Sequence, residues 1–274
     1  MFPKDQKQIW GIWNVSSDSF SSGAEFEDVT RYAHAQWLCR EGADIVDIGA
    51  ESTRPGVLPL EADEEIARLG EPLEWVRTVL RCPISLDSRH PKTIAWALDN
   101  DWVDIINDIG ATTSISDARE GEIYRAVAQA GAAIVLMAWF PHEADVLPFE
   151  LCMQKVVEQL KTRLEFALKC GIDRHKIILD PGIGFGKGLE NDWRFIAEAP
   201  QALAPLECPV LIAHSRKRCI AKSAGGLKMS SETLAKLDAA TAMASLIAFQ
   251  NGAAAVRVHA PALNVIARQM ATHV

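Results

Sequence analysis

Ile177-Ile178-Leu179-Asp180-Pro181-Gly182-Ile183-Gly184-Phe185-Gly186-Lys187 is an apolar run that ends in an acid and passes into a glycine-rich loop. The run has the length of a strand. An acid at its carboxyl end, followed by glycines, is how an α/β barrel or an open α/β sheet presents a site. Taken alone, the loop reads as a phosphate cradle built of backbone N–H groups, or simply as a tight strand-to-helix turn.

Working outward, seven further apolar runs cover 9–15, 44–49, 83–87, 103–108, 132–137, 210–213 and 254–259. Helical patterns are predicted between and after them at 28–41, 62–80, 91–100, 117–130, 148–170, 191–198, 231–250 and 263–272. The helix near 62 opens on Asp63, Glu64 and Glu65, which suit the positive end of a helix. Strand then helix, repeated eight times, predicts an α/β fold with a single (β/α)8 TIM barrel across 1–274. The runs are continuous rather than alternating, as in a parallel sheet covered by helices. A doubly wound open sheet is the other arrangement with this element order.

The chain has 274 residues, 49% of them hydrophobic, and a net charge of -8. That balance argues against a nucleic-acid partner but not against a small anionic substrate held by a local basic cluster. No apolar run approaches the ~20 residues of a membrane span. Residues 1–9 resemble neither a signal nor a transit peptide. Cys39, Cys82, Cys152, Cys170, Cys208 and Cys219 show no metal-binding spacing. They read as reduced thiols of a cytoplasmic protein.

Polar residues gather where the runs end. Asn14 is followed by Ser16 to Phe20, and Asp47 by Glu51, Ser52, Thr53 and Arg54. Asp87, Asn107 with Asp108, and Asp180 close three other runs. His214, Ser215, Arg216, Lys217 and Arg218 follow the seventh, and the eighth contains Arg257 and His259. In a barrel these ends converge on one face. Asp87, Asn107 and Asp180 suit a flat heterocycle with paired N–H and C=O groups. Asn14, Arg54, Lys217, Arg257 and His259, assisted by the hydroxyls of Ser52 and Thr53, suit a phosphate or diphosphate. In isolation each has a plainer reading as a cap, a turn, a basic loop or a core histidine.

Several segments together resemble the dihydropteroate synthase family. They are Gly11-Ile12-Trp13-Asn14-Val15-Ser16-Ser17-Asp18-Ser19-Phe20-Ser21, Gly49-Ala50-Glu51-Ser52-Thr53-Arg54-Pro55-Gly56, Ile106-Asn107-Asp108-Ile109, the stretch from Asp180 to Lys187, Ser215-Arg216-Lys217 and Arg257-Val258-His259. They occur in family order and cover almost the whole length. The resemblance implies a transferase of folate biosynthesis. It would join 6-hydroxymethyl-7,8-dihydropterin diphosphate to p-aminobenzoate, with Mg2+ near Asn14, in a homodimer formed through the last helices.

By the same resemblance, the pterin lies against Asp87, Asn107, Asp180 and Lys217, with Met137, Phe185 and Arg257 packing on its ring. Asn14, Arg257 and His259 take the diphosphate. Phe20, Thr53, Arg54 and Pro55 help form the p-aminobenzoate pocket, and the loops 14–23 and 51–56 close over it. Asp87, Asp180, Lys217 and Arg257 carry the chemistry: Asp87 and Asp180 stabilise a pterin cation while the diphosphate leaves. The resemblance thus moves the anion away from the glycine loop, which becomes the floor of the pterin pocket.

The chain also departs from the family pattern. Ser16-Ser17 stands for Thr-Pro, Ala50 and Ala213 for Gly, Ala138 and Glu190 for His, Arg218 for Ser, and Ala260 for Asp. The stretch from Ala138 to His142 lacks the usual Gly-x-Pro-x-x-Met-Gln, and only Glu232 is left of a Glu-Arg-x-x-Gly pattern. These changes keep a non-catalytic pterin-binding paralogue or one of altered specificity open. A methyl-folate:corrinoid methyltransferase shares the barrel but not the Ser52-Thr53-Arg54-Pro55 and Ser215-Arg216-Lys217 segments.

Overall fold

The computed structural model describes residues 6–15, 28–51, 60–110, 116, 118–141, 147–226, 228–230 and 232–273. Eight parallel strands are β1 (Gln8–Asn14), β2 (Ile45–Gly49), β3 (Ile84–Ser88), β4 (Ile105–Asp108), β5 (Ala133–Met137), β6 (Ile177–Asp180), β7 (Leu211–Ile212) and β8 (Ala255–Val258). Their order is β6-β5-β4-β3-β2-β1-β8-β7. The two outer strands meet through a parallel bridge between Leu179 and Val210, where the Leu179 N–H donates to Pro209 O at 2.9 Å. This seals the sheet into the expected barrel rather than an open sheet.

Among the described residues the helices are α1 (Asp28–Arg40), α2 (Ala62–Val79), α3 (Pro91–Asp99), α4 (Glu120–Ala130), α5 (Phe149–Lys169), α6 (Leu189–Leu203), α7 (Arg218–Ser223), α8 (Leu234–Gln250) and α9 (Pro261–Met270). None of them is long and apolar enough to cross a membrane.

Strand parity divides the core. Inward side chains, Trp10, Ile45, Ile105, Val135, Ile178 and Leu211 among them, form a small cluster inside the barrel. The alternate residues, such as Val46, Leu86, Ile106 and Leu179, join the larger core beneath the helices. Trp10 fills the barrel centre with no exposure. An indole buries roughly 150–250 Å², which at ~25 cal/mol per Å² stabilises the fold by about 4–6 kcal/mol. Above this plug the inward positions turn polar, so the site has an apolar floor.

Two elements differ from the sequence expectation. The helix expected at 191–198 spans Leu189–Leu203 with Pro200 inside it. Phe195, Ile196, Ala199, Pro200 and Leu203 are buried, so packing outweighs the break that proline favours. The segment after Lys217, expected as loop, contains α7, whose Cys219 and Ile220 are buried and which stops before Gly225-Gly226. All six cysteines are free, and Cys39 Sγ lies 2.8 Å from Cys82 Sγ.

Candidate active site

The carboxyl ends of the strands bring most of the expected residues to one face. Asp87 pairs in register with Asn107, and Met137 with Asp180. All four side chains are buried. Asn14 ends β1 in register with Gly49 of β2. Arg257 lies on β8 and His259 just beyond it. Phe185 and Lys217 come in from the loops after β6 and β7. Thr53 and Arg54, with Phe20, Pro55 and Ser16-Ser17, lie outside the described residues.

Arg257 is the electrostatic centre. Its Nε donates to Asp47 Oδ2 at 2.6 Å, and its Nη2 donates to Asp87 Oδ2. Asn107 Nδ2 lies 3.5 Å from Asp47 Oδ1. Asp87 Oδ1 is buried with no hydrogen-bond partner among the described residues. Burial pushes the Asp87 carboxyl up to about 7; Arg257 pulls it down, while Asp47 and Glu65 push it up. Burial also raises Asp180, against the pull of Lys217. Two desolvated carboxyl groups therefore lie at the strand ends, where N–H donors of a ligand would favour their charged forms.

The glycine loop is held from within. Lys187, fully buried, donates to Ala138 O at 3.2 Å, Gly182 O at 2.8 Å and Phe185 O at 3.0 Å. Burial lowers its ammonium to about 8. Asp180 Oδ1 accepts the Gly182 N–H at 2.7 Å, and Asp192 Oδ1 the Gly184 N–H at 3.0 Å. Gly182 has φ +72°, and a Cβ there would meet Ala138 O at 1.9 Å. The Gly182 and Gly184 N–H groups thus point back onto the protein's own carboxylates, which argues against the phosphate-cradle reading. What the loop presents is Phe185, with Lys217 Nζ 4.9 Å from its ring centroid. Lys217 also donates to Ile183 O.

Ser215 ties the end of β8 to the loop after β7. Its Oγ lies 2.9 Å from His259 Nδ1 and accepts the His259 N–H at 3.2 Å. Arg216, in contrast, points away from the site. It adopts φ +56° and forms a two-pronged ion pair with Asp238 of α8 at 2.6 and 2.8 Å. His214 is buried between Ile212 O and Thr241 O, and burial lowers it to about 4. Asp108 turns outward to Arg119 and the Gly110 N–H.

Asn14 is the expected metal-binding residue. No group of three or more His, Cys, Asp or Glu able to hold a metal occurs among the described residues. A half-buried amide oxygen suits a hard cation that keeps its waters and takes further oxygens from substrate phosphates, as Mg2+ does.

The model of the pterin binding enzyme family matches residues 10–259. A dihydropteroate synthase of Neisseria meningitidis serogroup C is 36% identical over 258 residues, 93% of this chain and 88% of that one. The chain belongs to the dihydropteroate synthase family. The dihydropteroate synthase of Xanthomonas albilineans, solved with 4-aminobenzoic acid, superposes with a TM-score of 0.84 at 33% identity, covering 98% of this chain and 93% of that one. The same enzyme solved with 7,8-dihydropteroate gives 0.81 at 31% identity, covering 99% and 94%.

Where this chain departs from the dihydropteroate synthase pattern, most described substitutions lie around the polar set rather than in it. Ala50, Ala138 and Ala213 are buried. Glu190 pairs with Lys222 at 3.2 Å on the surface, and Arg218 is exposed at the start of α7. Two contributors have no role that the sequence alone assigns. Asp47 had a visible signal, an acid inside the run Ile45-Val46-Asp47-Ile48. Lys187 had none beyond its place after the glycines, because its partners are backbone carbonyls, one of them 49 residues away.

Proposed function

We infer that the chain, as one barrel domain over 1–274, condenses 6-hydroxymethyl-7,8-dihydropterin diphosphate with p-aminobenzoate to 7,8-dihydropteroate and diphosphate. The observation that carries this reading is the set of Asp87, Asn107 and Asp180, all buried at inward strand ends, Asp87 in register with Asn107 and Asp180 with Met137 of the intervening β5. Carboxylates and an amide in that order match the N–H and C=O edge of a pterin. Phe185 and Met137 supply flat and apolar contact.

In the reaction the methylene C–O bond to the diphosphate breaks, and the pterin ring takes up the positive charge. Asp87 and Asp180, their charged forms favoured by the ring N–H groups that pair with them, stabilise that cation. Lys217 and Arg257 balance the carboxylates. Arg257, His259 and Asn14 receive the diphosphate. Asn14 would hold Mg2+, which would supply further charge neutralisation to the leaving group. The p-aminobenzoate nitrogen then forms the C–N bond and releases a proton to water. Thr53 and Arg54 are assigned to the p-aminobenzoate side by family resemblance.

The chain acts as a homodimer in the cytoplasm. Met243 of α8 and Leu263, Ile266 and Met270 of α9 form an exposed apolar stripe on two packed helices. Such a surface suits a second copy. The free cysteines fit a reducing compartment.

The test is formation of 7,8-dihydropteroate from the pterin diphosphate, Mg2+ and p-aminobenzoate, with Asp180→Asn as control. Product from the parent chain, lost in the variant, is expected. Tight pterin binding with no product would select the non-catalytic paralogue.

A further inference from the structure

Asp47 lies within an apolar strand and is fully buried. A carboxylate there is costly unless it is paired. Its main partner comes from two strands away. Arg257 is in register with Trp10 of β1, whereas Asp47 is in register with Ile12. The arginine therefore rises past β1, above the indole plug, to reach the next inward level. There one guanidinium bridges two acids, Nε on Asp47 and Nη2 on Asp87.

The Asp87 contact conflicts with the proposed substrate. Arg257 covers Asp87 Oδ2, the group that the reading above gives to the pterin edge. Asp87 Oδ1 is meanwhile buried without a partner among the described residues. A heterocycle donating two N–H groups would satisfy both oxygens and displace Nη2. The Nε bond to Asp47 need not break, because it uses the other end of the same planar fork. With Nε held, the rigid plane can swing about the Nε–H bond to Asp47, carrying both terminal nitrogens away from Asp87 and toward the mouth.

We propose that Asp47 is a positioning residue of this reaction: it anchors Arg257 through Nε while the heterocycle displaces the guanidinium tip from Asp87 toward the departing diphosphate. The proposal rests on the substrate reading above. Its rival is a static barrel ion pair, in which Asp47 contributes to stability alone.

The two are separated with full-length protein, comparing parent, Asp47→Asn and Asp47→Glu. Calorimetry measures binding of the dihydropterin diphosphate and of the 6-hydroxymethyl-7,8-dihydropterin that lacks it. Steady-state kinetics gives kcat and both KM values. Asp47→Asn is expected to weaken the diphosphate ligand by about tenfold or more, the size of one charge-assisted contact. The diphosphate-free pterin should bind within about twofold of the parent, since Asp87 and Asp180 are intact. In the same variant kcat falls while KM for p-aminobenzoate stays unchanged, and Asp47→Glu recovers part of the loss.

A lower melting temperature with the parent's ratio of the two affinities and the parent's kcat overturns the proposal. If Asp47→Asn does not fold, the same ratio measured on Asp47→Glu decides, and an unchanged ratio there also overturns it. Absence of product from the parent chain overturns the substrate reading and this proposal together. Product from the parent with an unchanged affinity ratio overturns this proposal alone.

Discussion

Ser215 Oγ lies 2.9 Å from His259 Nδ1 and accepts the backbone N–H of His259 at 3.2 Å, so one hydroxyl holds both the ring and the chain at the end of β8. A hydroxyl that donates to Nδ1 leaves the ring N–H on Nε2, the nitrogen able to face an anion. Ser215→Ala removes both bonds in a site that is already buried. We expect kcat/KM for the pterin diphosphate to fall about tenfold, with a stability loss of roughly 1–2 kcal/mol. An unchanged kcat/KM in a folded variant would show that His259 needs no such support.

Asp87 carries the pH dependence. Its carboxyl is raised to about 7, so below that pH it holds a proton and no longer accepts two N–H bonds. Pterin affinity is expected to drop about tenfold between pH 8 and pH 6, and Asp87→Asn to bind weakly with a flat profile. The ligand-free fold follows the opposite trend. The folded state retains a proton that the unfolded chain releases near its ordinary carboxylate value. This contribution to stability is therefore lost as pH rises from about 4 to about 7. Denaturant titrations across that range, on parent and Asp87→Asn, measure it.

Lys187 holds the loop after β6 through three carbonyls, those of Ala138, Gly182 and Phe185. Lys187→Met fills the space but leaves those acceptors unpaired, while also removing a buried ammonium. The net cost is expected to be about 2–4 kcal/mol. Because Phe185 rides on this loop, KM for the pterin substrate should rise as well. Thermal melts and substrate titrations check the two effects separately.

Glycine positions in the chain are not equivalent. At Gly182 the backbone has φ +72° and an added Cβ would lie 1.9 Å from Ala138 O, whereas at Gly225 φ is +90° with nothing within 4 Å. Gly225→Ala meets only the left-handed backbone penalty, about 1–2 kcal/mol. Gly182→Ala adds a backbone clash and should cost roughly 3–5 kcal/mol. Equal losses in the two variants would contradict the close approach of the loop to Ala138.

The α8–α9 stripe yields an assembly prediction. Ile266 is 54% exposed at its centre. If the proposed dimer uses this stripe, Ile266→Asp shifts the protein to monomer in sedimentation velocity at micromolar concentration, with the barrel's circular dichroism unchanged. A parent chain that sediments as a monomer at the same concentration would overturn the proposed dimer.

The barrel was legible in the sequence because the strands are apolar on both faces below the site, so eight short runs stand out between helical patterns. The acids and amides at the strand ends were legible for the same reason: Asp87, Asn107 and Asp180 close apolar runs. The sequence predicts α6 too short because the burial of Pro200 along with Phe195, Ile196 and Leu203 is a tertiary fact that local propensity does not carry. The sequence by itself determined the strand count, the face that bears the polar groups and the family segments. Tertiary structure alone decided which way those groups point. It turned the glycine loop's N–H groups inward onto Asp180 and Asp192, sent Arg216 to Asp238, and placed Arg257 between Asp47 and Asp87. The physical reason is that an ion pair spanning 210 residues of chain is set by strand register and by the cost of leaving a buried charge unpaired, and neither is written in local sequence.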